Sequence, residues 1–135
     1  MIMTDSVSKL FSALVVEDQP PMRAALCDLL HMLLPAVQVL EAADGATALE
    51  VFARERPLLV LMDVCLPDAD GIELTHRIET LTPETLVVVV SIDSSARTRA
   101  QAMAAGAVAF IPKDRIFEEL EPLLSDLNRL SKGTA

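Results

Sequence analysis

Five short apolar segments alternate with segments of helical periodicity along this chain of 135 residues. The apolar segments cover residues 12–18, 37–40, 58–63, 86–91 and 107–111. Runs of this length with few polar residues are typical of strands buried on both faces of a parallel sheet. Because a helix follows each strand after a short connection, the pattern predicts an α/β fold, a parallel sheet with helices on both faces.

The residues that flank the periodic segments predict where the helices begin and end. Pro20 and Pro21 suit the start of a helix whose apolar spacing runs from Met22 to Leu34. Glycine commonly ends helices, and Gly106 is the predicted end of the fourth helix. The predicted N-caps of the later helices are Asp44, Asp70, Ser94 or Ser95, and Asp114.

The composition indicates an aliphatic core and an acidic surface. Hydrophobic residues make up 52% of the chain but aromatic residues only 3%, so Leu, Val, Ile, Ala and Met must fill the interior. The formal net charge is −9, with 20 acidic residues against 11 Lys and Arg. Phosphate backbones bind basic patches, so this balance argues against direct nucleic acid binding by this chain.

The cysteines and the apolar stretches indicate the compartment. Cys27 and Cys65 form no C-x-x-C pair, as expected of reduced thiols in a cytoplasmic protein. No apolar stretch has the length of a membrane helix, and no signal peptide pattern is present, so no membrane association is expected. We expect a flexible tail at residues 1–10, one domain at residues 11–130 and a C-terminal tail at residues 131–135.

Polar side chains stand where the predicted strands end. Glu17 and Asp18 end the first strand, Asp63 ends the third, Ser91 ends the fourth, and Lys113 follows the fifth. The carboxyl ends of parallel strands meet at one edge of the sheet, where such folds bind ligands. Adjacent strands lie about 4.8 Å apart. The sequence therefore predicts that these five residues share one cleft.

Three clustered carboxylates repel each other, so either their pKa values rise or a cation lies among them. The candidate ligands are oxygen atoms only, which favours Mg²⁺ over Zn²⁺. Each residue alone has a simpler interpretation as a helix cap or a surface residue. Together they describe a site at which Asp63 accepts a phosphoryl group as the nucleophile. The metal and Lys113 would neutralise charge, and the Ser91 hydroxyl would donate to a phosphoryl oxygen.

The chain resembles the receiver domains of two-component response regulators over residues 11–130. The residues that carry the resemblance are Val15-Val-Glu-Asp18, Leu61-Met-Asp63 with Pro67 and Gly71, Val90-Ser91, and Phe110-Ile-Pro-Lys113. The resemblance implies a doubly wound, flavodoxin-like sheet of five strands in the order 2-1-3-4-5. It also implies a phosphorelay in which a histidine kinase or a histidine phosphotransfer protein phosphorylates Asp63 with Mg²⁺ as the cofactor.

The resemblance further assigns roles within the site. Asp18, Asp63 and the backbone carbonyl of Cys65 would bind the metal directly, and Glu17 would act directly or through water. Ser91 and Phe110 would be the switch residues. They would alter the face formed by helix 4, strand 5 and helix 5, to which a downstream protein partner or a second copy of the chain would bind. Such a phosphoacceptor is not a turnover enzyme.

Three positions depart from the usual pattern of these domains. Glu17 replaces the commoner Asp, a change that the family tolerates. Ile92 follows Ser91 where a small residue is usual, and we expect it to restrict the path of Ser91 or Phe110. Pro112 precedes the lysine, whereas many receiver domains carry proline after it, so the usual Lys-Pro geometry is not expected.

Three functions stay open at this point. The chain could be a stand-alone signalling switch, or a receiver fragment of a longer helix-turn-helix DNA-binding transcription regulator, which Lys113-Asp114 resembles. It could also be a phosphatase of the haloacid dehalogenase type, which also uses a strand-end Asp with Mg²⁺. The phosphatase is disfavoured because Asp63-Val64-Cys65 lacks the second Asp of its D-x-D motif and because the chain is short.

Overall fold

A computed structural model describes residues 11–133, and the side chains of residues 11–127. The strands are β1 (Ser12–Val16), β2 (Gln38–Ala42), β3 (Leu59–Asp63), β4 (Leu86–Ser91) and β5 (Ala109–Pro112). The α-helices are α1 (Pro20–Leu33), α2 (Gly45–Glu55), α3 (Gly71–Leu81), α4 (Ala96–Ala104) and α5 (Ile116–Gly133). The strands form one parallel sheet in the order β2-β1-β3-β4-β5, which confirms the predicted fold class and strand order.

The sheet separates two apolar layers, because alternate side chains of each strand point to opposite faces. On one face, Ala13 and Val15 of β1 pack with residues of α1 and α5. On the other face, Leu14 and Val16 pack with residues of α2, α3 and α4. These four residues of β1 are fully buried, as expected of a strand near the centre of a doubly covered sheet.

Side-chain caps fix the starts of three helices. The carboxylate of Asp44 accepts from the backbone N–H of Thr47 at 2.7 Å, and that of Asp70 accepts from the N–H of Ile72 at 2.9 Å. Of the two serines proposed for α4, Ser95 is the cap, and its hydroxyl oxygen accepts from the N–H of Thr98 at 3.2 Å. These bonds satisfy N–H groups that have no partner within the helix.

The prediction that Asp114 caps the last helix is wrong. Asp114 lies inside a 3₁₀ turn, Lys113–Arg115, that leads directly into α5. The N–H of Ile116 already bonds to the carbonyl of Lys113, so the chain is helical before it reaches the position of the expected cap. The helix also continues to Gly133, into residues 131–135 that we expected to form a C-terminal tail.

Parallel pairing shifts some strand boundaries from those predicted. Ala42 pairs with Val16, so β2 runs two residues beyond its predicted end at Leu40. Pro112 pairs with Ser91, so β5 begins and ends later than predicted. Glu17 and Asp18 follow β1 instead of ending it. The expected position of these acids at the carboxyl edge of the sheet is unchanged by the shift.

The described residues include no helix that is long and apolar enough to cross a membrane.

Gly106 has φ +110°, a left-handed conformation that glycine adopts without strain, and it follows α4 as predicted. Residues 1–10, the predicted N-terminal tail, lie outside the described part of the chain, as do residues 134–135.

Candidate functional site

Three carboxylates converge at the carboxyl edge of the sheet. Glu17 and Asp18 follow β1, and Asp63 is the last residue of β3, the neighbour of β1. One carboxylate oxygen from each residue lies within 4.8 Å of the others. Glu17 is fully buried and Asp63 is 5% exposed. Carboxylates held together with so little water require compensating positive charge.

Lys113 supplies part of that charge from the end of β5. Its Nζ lies 2.8 Å from Oε1 of Glu17 and 3.4 Å from Oδ2 of Asp63. Burial lowers the pKa of Lys113, but the hydrogen bond to Glu17 and the charges of Asp63 and Glu17 together raise it above its ordinary value. The ammonium group is therefore charged at neutral pH and is shared between two carboxylates.

Asp63 stays under-neutralised in this arrangement. Burial raises its pKa from the ordinary value of 3.8 to about 6, and the charge of Glu17 adds to this effect. The ammonium of Lys113 and the N–H of Cys65, which donates to Oδ1 at 3.4 Å, act in the opposite direction. One lysine thus does not balance three acids, and the donor set fits an added cation that prefers oxygen, such as Mg²⁺.

Both carboxylate oxygens of Glu17 already have partners. Oε1 contacts Lys113, and Oε2 accepts from the backbone N–H of Gln19 at 3.1 Å. Asp18 is only partly buried, and its side chain lines the cleft beside Asp63. The cleft has a volume of about 170 Å³ and is lined by Asp18, Gln19, Asp63, Cys65, Ile92 and Lys113. Asp18 is thus more available than Glu17 as a direct metal ligand.

The backbone of the loop after β3 is held against α3. The N–H of Gly71 donates to the carbonyl of Val64 at 2.8 Å, and Cys65 forms an isolated bridge with Asp70. A Cβ atom on Gly71 would lie 1.9 Å from the carbonyl oxygen of Asp63. Glycine is required here because α3 begins directly against the backbone of the predicted phosphoacceptor.

The two cysteines differ in accessibility. Cys65 is exposed and lines the cleft. Cys27 is buried in α1, and burial, followed by the charge of Glu41, raises the pKa of its thiol to about 11. A thiol with so high a pKa is almost entirely protonated at neutral pH and is unreactive.

The predicted switch residues are both buried, Ser91 on β4 and Phe110 on β5. Ser91 is buried at the end of β4, and its Oγ accepts from the N–H of Asp93 at 3.0 Å. Phe110 is 4% exposed and points inward. The guanidinium carbon of Arg99 lies 4.8 Å above the centre of the Phe110 ring, and Nη1 donates to the Phe110 carbonyl at 3.4 Å.

The side chain of Ile92 lies at the surface, beside the cleft. Its side chain is 82% exposed and lines the mouth of the cleft, whereas Ser91 and Phe110 are buried. It lines the same cleft as Asp63 and is not part of the buried layer that contains Phe110. The peptide bonds of the described chain are all trans, including those on either side of Lys113.

Sequence reasoning missed Asp68, which lies in the loop between β3 and α3. Its carboxylate accepts from the N–H groups of Gly45 and Ala46, at 2.7 Å and 3.0 Å, at the start of α2. An Asp directly after Pro67 suggests a turn or a cap, but its partners are 22 and 23 residues earlier in the chain. Nothing in the local sequence identifies a partner at that separation.

Comparison with known proteins identifies the family. The family described as response regulator receiver domain matches residues 13–125. The receiver domain of the putative response regulator NarL from Mycobacterium tuberculosis superposes with a TM-score of 0.78 at 28% identity, over 88% of this chain and 96% of that one. The chain therefore belongs to the receiver domains of two-component response regulators.

Curated relatives carry the same domain within longer proteins. A protein-glutamate methylesterase/protein-glutamine glutaminase of Myxococcus xanthus is 41% identical over 74% of this chain and 29% of its own length. A putative transcriptional regulator of Pseudomonas aeruginosa is 34% identical over 79% of this chain and 51% of its own length. This chain thus spans about a third to a half of these relatives.

Proposed function

We propose that this chain is a phosphorylatable switch that accepts a phosphoryl group on Asp63. The observation that carries the proposal is the buried Asp63 carboxylate, which lies near two other acids and 3.4 Å from the ammonium group of Lys113. A carboxylate with a pKa of about 6 is ionised at neutral pH and poorly solvated, which makes it a competent nucleophile. The receiver family supports this role, and it disfavours the phosphatase alternative.

In the proposed transfer, a carboxylate oxygen of Asp63 attacks the phosphorus of a phosphohistidine on a histidine kinase or a histidine phosphotransfer protein. The new P–O bond forms as the P–N bond breaks, and the imidazole leaves with the electron pair and takes a proton from solvent. Lys113 stands next to Asp63 and would stabilise negative charge on the phosphoryl oxygens. The Ser91 hydroxyl lies on the neighbouring strand and would donate to one of these oxygens.

We propose Asp18, Asp63 and the backbone carbonyl of Cys65 as direct ligands of Mg²⁺, with Glu17 acting through water. The engagement of both Glu17 oxygens by Lys113 and Gln19 supports the indirect role. Bound Mg²⁺ would neutralise charge on the acids and on the incoming phosphoryl oxygens. The Cys65 N–H would orient the Asp63 carboxylate, and Glu17 would hold the ammonium group of Lys113 in place.

The readout of phosphorylation is proposed to pass through α4, β5 and α5. A phosphoryl group adds charge beside Ser91 and would favour a different packing of Ser91 and Phe110. A downstream protein partner, or a second copy of the chain, would recognise the altered face. Because the relatives attach unlike output domains, both a stand-alone switch and a fragment of a transcription regulator stay open. A cytoplasmic location stays a prediction.

The test is intact-mass measurement after incubation with acetyl phosphate, with MgCl₂ or with EDTA. We expect a mass increase of one phosphoryl group only with Mg²⁺, and loss of that increase in Asp63→Asn. The matched control is Asp28→Asn, which removes an exposed acid from α1. A wild-type protein that gains no metal-dependent adduct, or an adduct that persists in Asp63→Asn, would contradict the proposal.

A further inference from the structure

The loop between β3 and α3, residues 64–70, carries the carbonyl of Cys65 that we propose as a metal ligand. Two bonds organise the loop from within or at its base: Leu66 N–H to the Ala69 carbonyl at 3.3 Å, and Gly71 N–H to the Val64 carbonyl at 2.8 Å. The first is long for an N–H···O bond. Cys65 lies between these two bonds, and its N–H donates to Oδ1 of Asp63 at 3.4 Å, so the direction of its carbonyl depends on how the loop is held.

Asp68 ties the tip of this loop to a separate element. Its two carboxylate oxygens accept from the N–H groups of Gly45 and Ala46, the first two residues of α2. These bonds lower the pKa of Asp68, so the carboxylate is charged at neutral pH. Hydrogen bonds to a charged acceptor are stronger than those to a neutral one. The positive end of the dipole of α2 also favours the negative charge of Asp68.

The contact between the loop tip and α2 is also tight. A Cβ atom on Gly45 would lie 2.8 Å from the Cβ of Ala69 and 3.2 Å from Oδ1 of Asp68. Both the Cβ of Ala69 and the carboxylate of Asp68 therefore lie close to Gly45 at the start of α2. Movement of the tip would require the loss of both contacts.

We propose that Asp68 is a positioning residue for the metal site, which acts by fixing the loop that presents the Cys65 carbonyl. Cys65 is three residues from Asp68 in this short loop, and its N–H donates to the acceptor, Asp63. The inference rests on the proposed function, because it assigns Asp68 to the same Mg²⁺ site. Asp68 is not one of the residues that line the cleft beside Asp63.

A merely structural role for Asp68 would be the capping of α2. The chain offers a matched control for that role, because Asp44 is the N-cap residue of the same helix and lies outside the loop after β3. Asp44 accepts from the N–H of Thr47 at 2.7 Å. Asp44→Ala and Asp68→Ala each remove one negative charge and capping bonds from the same helix start. They differ in whether the loop after β3 is released.

The experiment measures Mg²⁺ affinity by calorimetry and amide hydrogen exchange of residues 64–70 in the metal-free protein. We expect Asp68→Ala to weaken Mg²⁺ binding about tenfold, the lower end of what loss of an outer partner costs a metal site. It should also speed exchange in the loop. Asp44→Ala should leave both quantities unchanged, and Asp68→Asn, which keeps one acceptor oxygen, should restore part of the affinity.

The outcomes separate the two proposals. Equal Mg²⁺ affinity in the wild type and Asp68→Ala, or an equal loss in Asp44→Ala, would overturn the positioning role and leave the proposed function standing. Absence of Mg²⁺ binding by the wild type would overturn the proposed function together with this inference. If Asp68→Ala fails to fold, the comparison between Asp68→Asn and Asp44→Asn decides in the same way.

Discussion

The surroundings of Asp63 disfavour its charged form. Its pKa of about 6 in the folded protein exceeds the ordinary value of 3.8, so the folded state binds this proton more tightly than the unfolded chain does. Stability from this source is fully present below pH 3.8 and is lost as the pH rises to about 6. The charge of Asp63 should therefore lower the stability of the metal-free protein at neutral pH.

Asp63→Asn should stabilise the metal-free protein at pH 7.5 by on the order of 2–3 kcal/mol, since it removes an ionised group whose charge is unfavourable there. The gain should shrink toward zero as the pH is lowered to about 4. Urea unfolding of both proteins in EDTA at several pH values measures it. A gain of equal size at every pH would show that Asp63 titrates in the folded protein as it does in the unfolded chain.

Ile92 is an exposed aliphatic side chain at the mouth of the cleft. Ile92→Ala should speed labelling of Asp63 by acetyl phosphate severalfold, because the smaller side chain widens access to the acceptor. The initial rate in the mass assay measures this effect. Met32→Ala is the control, because Met32 is 69% exposed on α1 and does not line the cleft. Equal rates in all three proteins would show that Ile92 does not restrict the cleft.

At the scale of elements, helix α3 and strand β3 are joined without space for a side chain. Gly71→Ala would place a Cβ 1.9 Å from the Asp63 carbonyl oxygen, so the backbone must shift. We expect a loss of about 1–3 kcal/mol in unfolding free energy, the range of other overpacked sites. Slower phosphorylation should accompany it because the acceptor moves.

The comparison for Gly71→Ala is Thr80→Ala on the exposed side of the same helix. That change removes a hydrogen bond from the hydroxyl to the His76 carbonyl but adds no atom near β3. Thr80→Ala should keep the wild-type rate of labelling. If Gly71→Ala also kept the wild-type rate and stability, the close approach of α3 to the acceptor would have no functional importance.

Helix α4 contacts Phe110 directly and is connected to Ser91 through Asp93, which precedes the helix. Asp93, whose N–H bonds to Ser91, accepts from the Thr98 hydroxyl at 2.6 Å in the first turn of the helix. Arg99 in the same helix covers the ring of Phe110. A shift of Ser91 toward a phosphoryl group would therefore disturb the start of α4, and a shift of α4 would disturb Phe110.

Arg99→Ala should lower the free energy of unfolding by about 0.5–1 kcal/mol, the worth of an exposed cation–π contact. It should also increase ring motion of Phe110, which aromatic NMR line shapes report. Arg97→Ala, an exposed arginine two positions earlier, serves as the comparison. Identical Phe110 spectra in the two variants would show that Arg99 does not hold the ring.

At the scale of the whole molecule, a bound cation should link the site to global stability. Mg²⁺ at about 100 times its dissociation constant stabilises a folded protein by about 2.7 kcal/mol. We expect this increase in the wild type and a much smaller one in Asp18→Asn, as measured by urea unfolding in MgCl₂. NaCl of equal ionic strength controls for charge screening. An equal response to both salts would contradict a specific site.

The fold could be predicted from the sequence because its signals are local. Every strand except β2, which contains Gln38 and Glu41, is largely an apolar run. Asp44, Asp70 and Ser95 cap helices within three residues of themselves. The errors concern element boundaries that are set by pairing with a distant strand or by a local 3₁₀ turn. β2 and β5 take their ends from neighbouring strands, and Asp114 lies in a turn that a capping pattern does not distinguish.

In the candidate site, too, the features that depend on local sequence could be predicted and those that depend on distant contacts could not. The gathering of Glu17, Asp63 and Lys113 follows from strand ends meeting at one edge, and sequence alone predicts it. The direction of the Ile92 side chain depends on loop geometry, and the partners of Asp68 are more than 20 residues away. Neither leaves a signal in the local sequence.

The contrast between the two thiols has a practical consequence. The chain contains no Trp and no Tyr, so it has little intrinsic fluorescence with which to follow the acceptor. A maleimide dye would nevertheless attach selectively to Cys65, at the rim of the cleft, while protonated, buried Cys27 would remain unmodified. The protein as it stands therefore offers a single position for a dye that reports, in real time, what happens next to Asp63.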